Sequence, residues 1–203
     1  MNIELHTSGR ADGSCLLQQS DSSYVATVNG PRICPIYKRD YANLRITFAF
    51  RQKERLKVNR KVEFLLRNVL NRAIDKRLFP RQQLQCNIQE IESDPENTAP
   101  TVNVMCLALL DAAVPLNHLF CGVYVSVGKP LSAEAVGSEH SCSFVFVFKQ
   151  SQILGGEVIG STNTGIFTMD QYEQAYTKAH DSALQIFDLY REAMRKKLTA
   201  KLS

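Results

Sequence analysis

Two runs in the second half of this chain, Phe120–Val127 and Cys142–Phe148, are apolar on both alternating faces. A strand with only one buried face alternates apolar and polar residues, so strands like these must be covered on both sides. Helices have to supply that cover, and the chain contains suitable ones. Val62, Leu65, Leu66, Val69, Ala73 and Ile74 form one face of a helix predicted over Arg60–Leu78, with Pro80 stopping it. Thr101–Val114 reads as a second, more apolar helix. A third opens on Thr168-Met169-Asp170-Gln171, which has the form of a capping box. It continues through Tyr172, Ala175, Tyr176, Ala179, Ala183, Ile186, Phe187, Tyr190 and Met194.

The remaining segments alternate with period two. Ser14–Gln19 and Ser23–Asn29 flank a polar turn at Asp21-Ser22, which predicts a hairpin. Leu44–Phe50 and Gln83–Ile91 read as half-buried strands, and Glu157–Ser161 as a short one. The order is strands, helix, strand, helix, strands, helix. No low-complexity linker interrupts it, so residues 1–203 are expected to form one α+β domain.

Composition narrows the function classes only slightly. Apolar residues make up 44% of the chain and charged residues 22%, with a net charge of +4. That is an ordinary globular balance, with a mild basic excess that permits an acidic partner. The six cysteines are widely spaced with no C-x-x-C pair, and four sit in apolar runs, so buried reduced thiols are expected. No apolar run approaches membrane-spanning length. His6, His118, His140 and His180 are scattered, so no metal site and no cofactor are expected. Ser141 and Ser143 beside His140 lack a nucleophile-elbow pattern. The reading is an intracellular, soluble protein.

Two segments carry chemistry. Arg51, Lys53, Arg55, Lys57, Arg60 and Lys61 place six cations within 11 residues, offset only by Glu54. This suits sequence-independent contact with phosphodiesters, and no aromatic lies within the run to stack on bases. The second segment, Ser93–Asn103, joins a strand to an apolar helix. Free amides and the positive helix end make such a junction a natural anion site. Here Asp94 and Glu96 bring negative charge, while Pro95 and Pro100 each remove a donor. The cationic cluster of Arg191, Arg195, Lys196, Lys197 and Lys201 reads as a solvated helix end.

Arg10-Ala11-Asp12-Gly13-Ser14, then Ser23–Arg32 ending in Gly30-Pro31-Arg32, resemble the first hairpin of the RNase PH family. Leu107–Pro115 is similar to that family's A-L-x-D-A-G-[VI]-P helix end, with Ala113 in place of glycine. The resemblance runs from about Arg10 to Lys197. It implies an RNase PH-like fold of duplicated β-α-β-α halves, with mixed sheets packed on helices and a long C-terminal helix. His118–Val123 and Tyr190-Arg191-Glu192 look most like an RNase PH-type ring subunit of the eukaryotic RNA exosome. That likeness implies other RNase PH-like subunits, RNA-binding cap proteins and RNA as partners. It also implies a nuclear and nucleolar location, with some protein in the cytoplasm.

Active relatives hold phosphate with the pattern D-G-G-T-R-T-A-S-I-N. Aligned back from Asn103, Pro95 and Glu96 fall on the two glycines, Asn97 beside them, and Thr98 on the arginine. Lys129 and Ser141 fall on two acids that such relatives use, although Glu134 and Glu139 lie nearby. Phosphorolysis is therefore expected to be lost, leaving no catalytic residue to name. Arg60 and Lys61 fall on the pair that holds RNA phosphates. A different class of function stays open: a homodimeric nuclease or plain nucleic-acid-binding protein acting on RNA or DNA, with Asp94, Glu96, Glu134 and Glu139 as candidate Mg²⁺ ligands.

Overall fold

The computed structural model describes residues 1–19, 22–53, 60–92, 97–127, 142–151 and 156–202. Its strands are β1 (Asn2–Leu5), β2 (Gly13–Gln19), β3 (Ser22–Ile33), β4 (Arg45–Arg51), β5 (Gln82–Glu92), β6 (Phe120–Val127), β7 (Cys142–Lys149) and β8 (Glu157–Thr164). Its helices are α1 (Arg60–Ala73), α2 (Ala99–Asp111) and α3 (Met169–Leu202).

The first half builds a mixed sheet in the order β1-β2-β3-β5-β4. Only β4 and β5 run parallel, in register from Arg45 opposite Gln83 to Arg51 opposite Gln89, with α1 as the crossover between them. A parallel pair needs such a crossover because a tight turn cannot reverse the chain twice. This half thus contains the β-α-β-α unit β4-α1-β5-α2. The second half is the antiparallel sheet β6-β7-β8 followed by α3.

One core joins both halves. Leu17, Ala26, Leu84 and Ile88 from the first sheet belong to the same buried cluster as Phe120, Phe144, Phe146 and Phe148 from the second. α2 lies inside it, with every residue except Leu110 buried. A helix apolar all round can only sit between layers. Against α3, Phe146 meets Tyr172 edge-on at 5.4 Å between ring centroids. The α3 start is fixed as its sequence predicts: Thr168 N–H donates to Gln171 Oε1 at 3.0 Å, and Gln171 N–H to Thr168 Oγ1 at 3.4 Å.

Several boundaries differ from the sequence reading: β3 continues to Ile33, β8 to Thr164, and α2 ends at Asp111 rather than Val114. Helix α1 stops at Ala73, not Leu78, and a separate 3-10 turn over Lys76–Leu78 follows, capped by Asp75 accepting from Arg77 N–H at 3.0 Å. Ile74 fitted the helical period because it is buried, but it bridges to Leu116. Helix α2 begins at Ala99 rather than Thr101, since Pro100 is acceptable in a first turn. Strand β1 was not foreseen; four half-exposed residues leave little periodic signal.

At its far end α2 closes with Val114 N–H donating to Leu109 O and Ala113 N–H to Leu110 O, both at 3.1 Å. This is a Schellman motif, and it places Ala113 at φ 53°, in the left-handed region that glycine favours.

Candidate nucleic-acid interface

Because β4 and β5 are parallel neighbours, their C-terminal ends leave the sheet at the same end. Strand β4 leads through the basic segment into α1, and β5 leads through residues 93–96 into α2. The two helix starts singled out in the sequence therefore share one end of the sheet.

The start of α1 is open. Arg51, Lys53, Arg60 and Lys61 are all exposed. Arg55 and Lys57 lie outside the described residues. Arg60 and Lys61 stand at the positive end of the helix dipole, where cations cost stability and concentrate positive potential; Glu63 is the one acid in that turn. The inner face of α1 buries Val62, Leu65, Leu66, Val69, Leu70 and Ala73. Arg72 Nη1 also donates to Ile159 O on β8 at 3.1 Å, so the cations are presented on a firmly seated helix.

The start of α2 is closed. Asn97 Oδ1 accepts the Ala99 N–H at 3.2 Å. Pro100 has no N–H. Thr101 donates to Thr98 O twice, from its N–H at 3.2 Å and its hydroxyl at 2.6 Å. The first three helical positions thus hold one amide already taken, one missing and one turned inward. Ala99, Pro100 and Thr101 are buried, and Thr98 is half-buried. Pro95 and Glu96 lie outside the described residues, as do Asp94, Lys129, Glu134, Glu139 and Ser141. Among the described residues no group of His, Cys, Asp or Glu side chains could hold a metal.

Asn103 cements this helix start. Its Oδ1 accepts from Gly122 N–H at 2.7 Å and from the Tyr190 hydroxyl at 2.9 Å. Its Nδ2 donates to Gly122 O at 3.0 Å and to Gln19 Oε1 at 3.2 Å. Gly122 is required there, because a Cβ would lie 2.9 Å from Ala99 O. Asn103 thereby joins α2, β6 and α3.

The motif residues that carried the resemblance are architectural. Asp12 Oδ2 accepts from Gly30 N–H at 2.7 Å and pairs with Arg32 at 3.2 Å. A Cβ on Gly13 would lie 2.3 Å from Ala112 N, so only glycine lets β2 approach the end of α2 so closely. Ser14 N–H donates to Asp111 Oδ2 at 2.8 Å. Asp111 is buried and forms an ion pair with Lys197, whose side chain is 14% exposed and also donates to Asp111 O at 3.0 Å. Lys197 is therefore a largely covered partner of α2, contrary to the solvated-end reading; 86 residues separate the pair, too far for local pattern to reveal it.

All six cysteines are buried and free. Burial pushes the Cys15, Cys86 and Cys106 thiols up to about 12, and raises Cys121 further. These thiols are core fillers, since a nucleophile needs a depressed pKa and access. His118 is held below its ordinary value, chiefly by desolvation and then by the Lys149 charge.

The sequence reading missed a pair of tyrosines, Tyr37 and Tyr41, that are 81% and 66% exposed. Their interleaving with Lys38 and Arg39 a few residues after Gly30-Pro31 was an available signal.

A 3′ exoribonuclease family model, RNase PH domain 1, matches residues 1–115. The chain belongs to the RNase PH family. Over 98% of its length it is 27% identical to the RRP46 homologue of the exosome complex from Caenorhabditis elegans, covering 95% of that protein. It is also 27% identical to the exosome complex component Rrp41 of Archaeoglobus fulgidus, over 96% of this chain and 81% of that one. The crystal structure of rice (Oryza sativa) Rrp46 superposes with a TM-score of 0.76 at 19% identity, covering 94% of this chain and 92% of the other. That likeness supports the fold.

Proposed function

We propose that this chain is an RNase PH-like ring subunit of an RNA exosome core, holding neighbouring subunits and RNA 3′-ends without performing phosphorolysis. The observation that supports the non-catalytic part is the start of α2, where among the described residues Asn97 takes the Ala99 amide, Pro100 has none and the Thr101 amide is turned inward. Thr98 offers no guanidinium in its place. The ring assignment draws on the exosome names of relatives that match nearly end to end.

On this reading Arg51, Lys53, Arg55, Lys57, Arg60 and Lys61 steady RNA backbones. The partners are other RNase PH-like subunits and the RNA-binding caps of the ring, in the nucleus, nucleolus and cytoplasm. The experiment incubates the purified chain with 3′-labelled RNA and inorganic phosphate, then co-expresses it with other ring subunits. No nucleoside diphosphate should be released, and the chain should co-purify in a stoichiometric ring. Phosphate-dependent release that Lys61→Ala abolishes, or failure to enter any ring, would sink the reading. A self-paired copy of the isolated chain is compatible with it. No observation among the described residues favours a metal-dependent nuclease.

A further inference from the structure

The segment after β3 displays an unusual surface. Tyr37 and Tyr41 stand out from a loop fixed in one shape by hydrogen bonds. Arg39 donates to Cys34 O through Nε at 3.2 Å and Nη2 at 3.0 Å. Asp40 Oδ1 accepts from Ala42 N–H at 2.9 Å and Asn43 N–H at 3.2 Å. Arg45 Nη1 donates to Lys38 O at 3.1 Å. The neighbouring turn ties in as well: Arg81 N–H donates to Asp40 O at 2.9 Å and Leu44 N–H to Lys76 O at 2.7 Å.

Each ring has a cation beside it, Lys38 at 5.4 Å from the Tyr37 centroid and Arg81 at 5.6 Å from that of Tyr41. The acids of this surface are spent on local structure. Asp40 and Asp75 cap backbone amides, and Asp12 binds Gly30 and Arg32. Exposed rings with outward cations and internally satisfied carboxylates form a positive, aromatic face.

An open groove of about 430 Å³ leads away from it, starting at Asp40 and Lys76 and running along β4 past Arg45 and Thr47 to Arg67 on α1. Strand β4 is the edge of its sheet. Its seven residues span roughly 20 Å and end at Arg51, toward the end of the sheet where α1 begins. Arg45, Arg67 and Lys76 line the groove itself.

We propose that Tyr37 and Tyr41 form a base-stacking platform for single-stranded RNA at the Arg45 end of β4, the end of that strand opposite the one from which the chain leads to Arg60 and Lys61. The proposal rests on the reading of this chain as an RNA-handling subunit and adds a second contact of a different kind. Stacking tolerates any base, since every base offers a π-face, while the cations follow the backbone. Tyrosine and arginine also favour protein interfaces, and Ile33 and Ile36 are exposed beside Tyr37, so protein docking is the alternative that the test separates from RNA stacking.

The test is fluorescence anisotropy of the full chain with a short labelled oligouridylate at low salt. The Tyr37→Ala/Tyr41→Ala variant should weaken binding by about tenfold or more, and Tyr37→Phe/Tyr41→Phe should bind like wild type. An oligomer of abasic sugars should not distinguish wild type from the alanine variant. The substituted side chains are exposed, so a thermal melt of both variants should match wild type. If the alanine variant binds normally while Arg60→Ala/Lys61→Ala binds weakly, the platform is wrong and RNA handling survives. If the alanine variant loses self-association or ring assembly with RNA affinity intact, the face docks protein and the proposal falls. If wild type binds no single-stranded RNA, both readings fall together.

Discussion

Helices α1 and α2 begin at the same end of one sheet, yet their first turns have opposite characters. The α2 start is buried, its amides are taken or missing, and Asn103 bolts it to β6 and α3. The α1 start shows Arg60 and Lys61 to solvent against the sense of the helix dipole. Residues that stabilise a fold and residues that serve a ligand are seldom the same. On the proposed function, the α2 start has become structure while the α1 start is kept for RNA at a small cost in stability.

The sharpest way to break the comparison is at Asn103. Asn103→Ala strands Gly122 N–H, Gly122 O and the Tyr190 hydroxyl in the core, so chemical denaturation should show a loss of about 3 kcal/mol or more. A loss below about 1 kcal/mol would mean that the α2 start is not held as described. At the other end of the same helix, Ala113→Gly should stabilise by about 1 kcal/mol, because alanine at φ 53° carries left-handed strain that glycine does not. An unchanged melt would show that the Schellman turn relaxes around alanine.

For α1 the expectation reverses. Arg60→Ala/Lys61→Ala should leave stability within about 0.5 kcal/mol of wild type. Its RNA affinity should have a log–log salt slope shallower by roughly 1.4, the loss of two phosphate contacts on a single strand. A slope that does not move would remove α1 from the interface. The smallest effect concerns His118, between α2 and β6. Its folded pKa lies below the unfolded value, so stability should decline as the pH falls below about 6.5, because the unfolded chain then binds the proton more readily. His118→Gln should flatten that decline, as read from melts between about pH 7 and 5.

How far the sequence reached depended on whether a cause was local. The alternation in Leu44–Phe50, the apolar face from Val62 to Ala73 and the Thr168–Gln171 box each state their structure within a few residues, and the fold follows them. The α1 overshoot to Leu78 came from Ile74, which is buried in the core just past the helix end, where its backbone bridges to Leu116. Pairings across long separations were out of reach, such as Lys197 with Asp111 or Asn103 with Tyr190. For the candidate interface, the cations and the odd α2 start were visible as residue types. The capture of Ala99 N–H by Asn97 and the rigid display of Tyr37 and Tyr41 required coordinates, because both depend on backbone course.

The Asp111–Lys197 pair has a consequence for how the chain closes. Asp111 keeps the Ser14 N–H and the nearby His6 without Lys197, but loses its lysine cation, and removing one partner of a buried ion pair costs several kcal/mol. Burial of the Asp111 carboxylate is therefore coupled to the docking of the last turns of α3, and the two ends of the chain are joined through one charge.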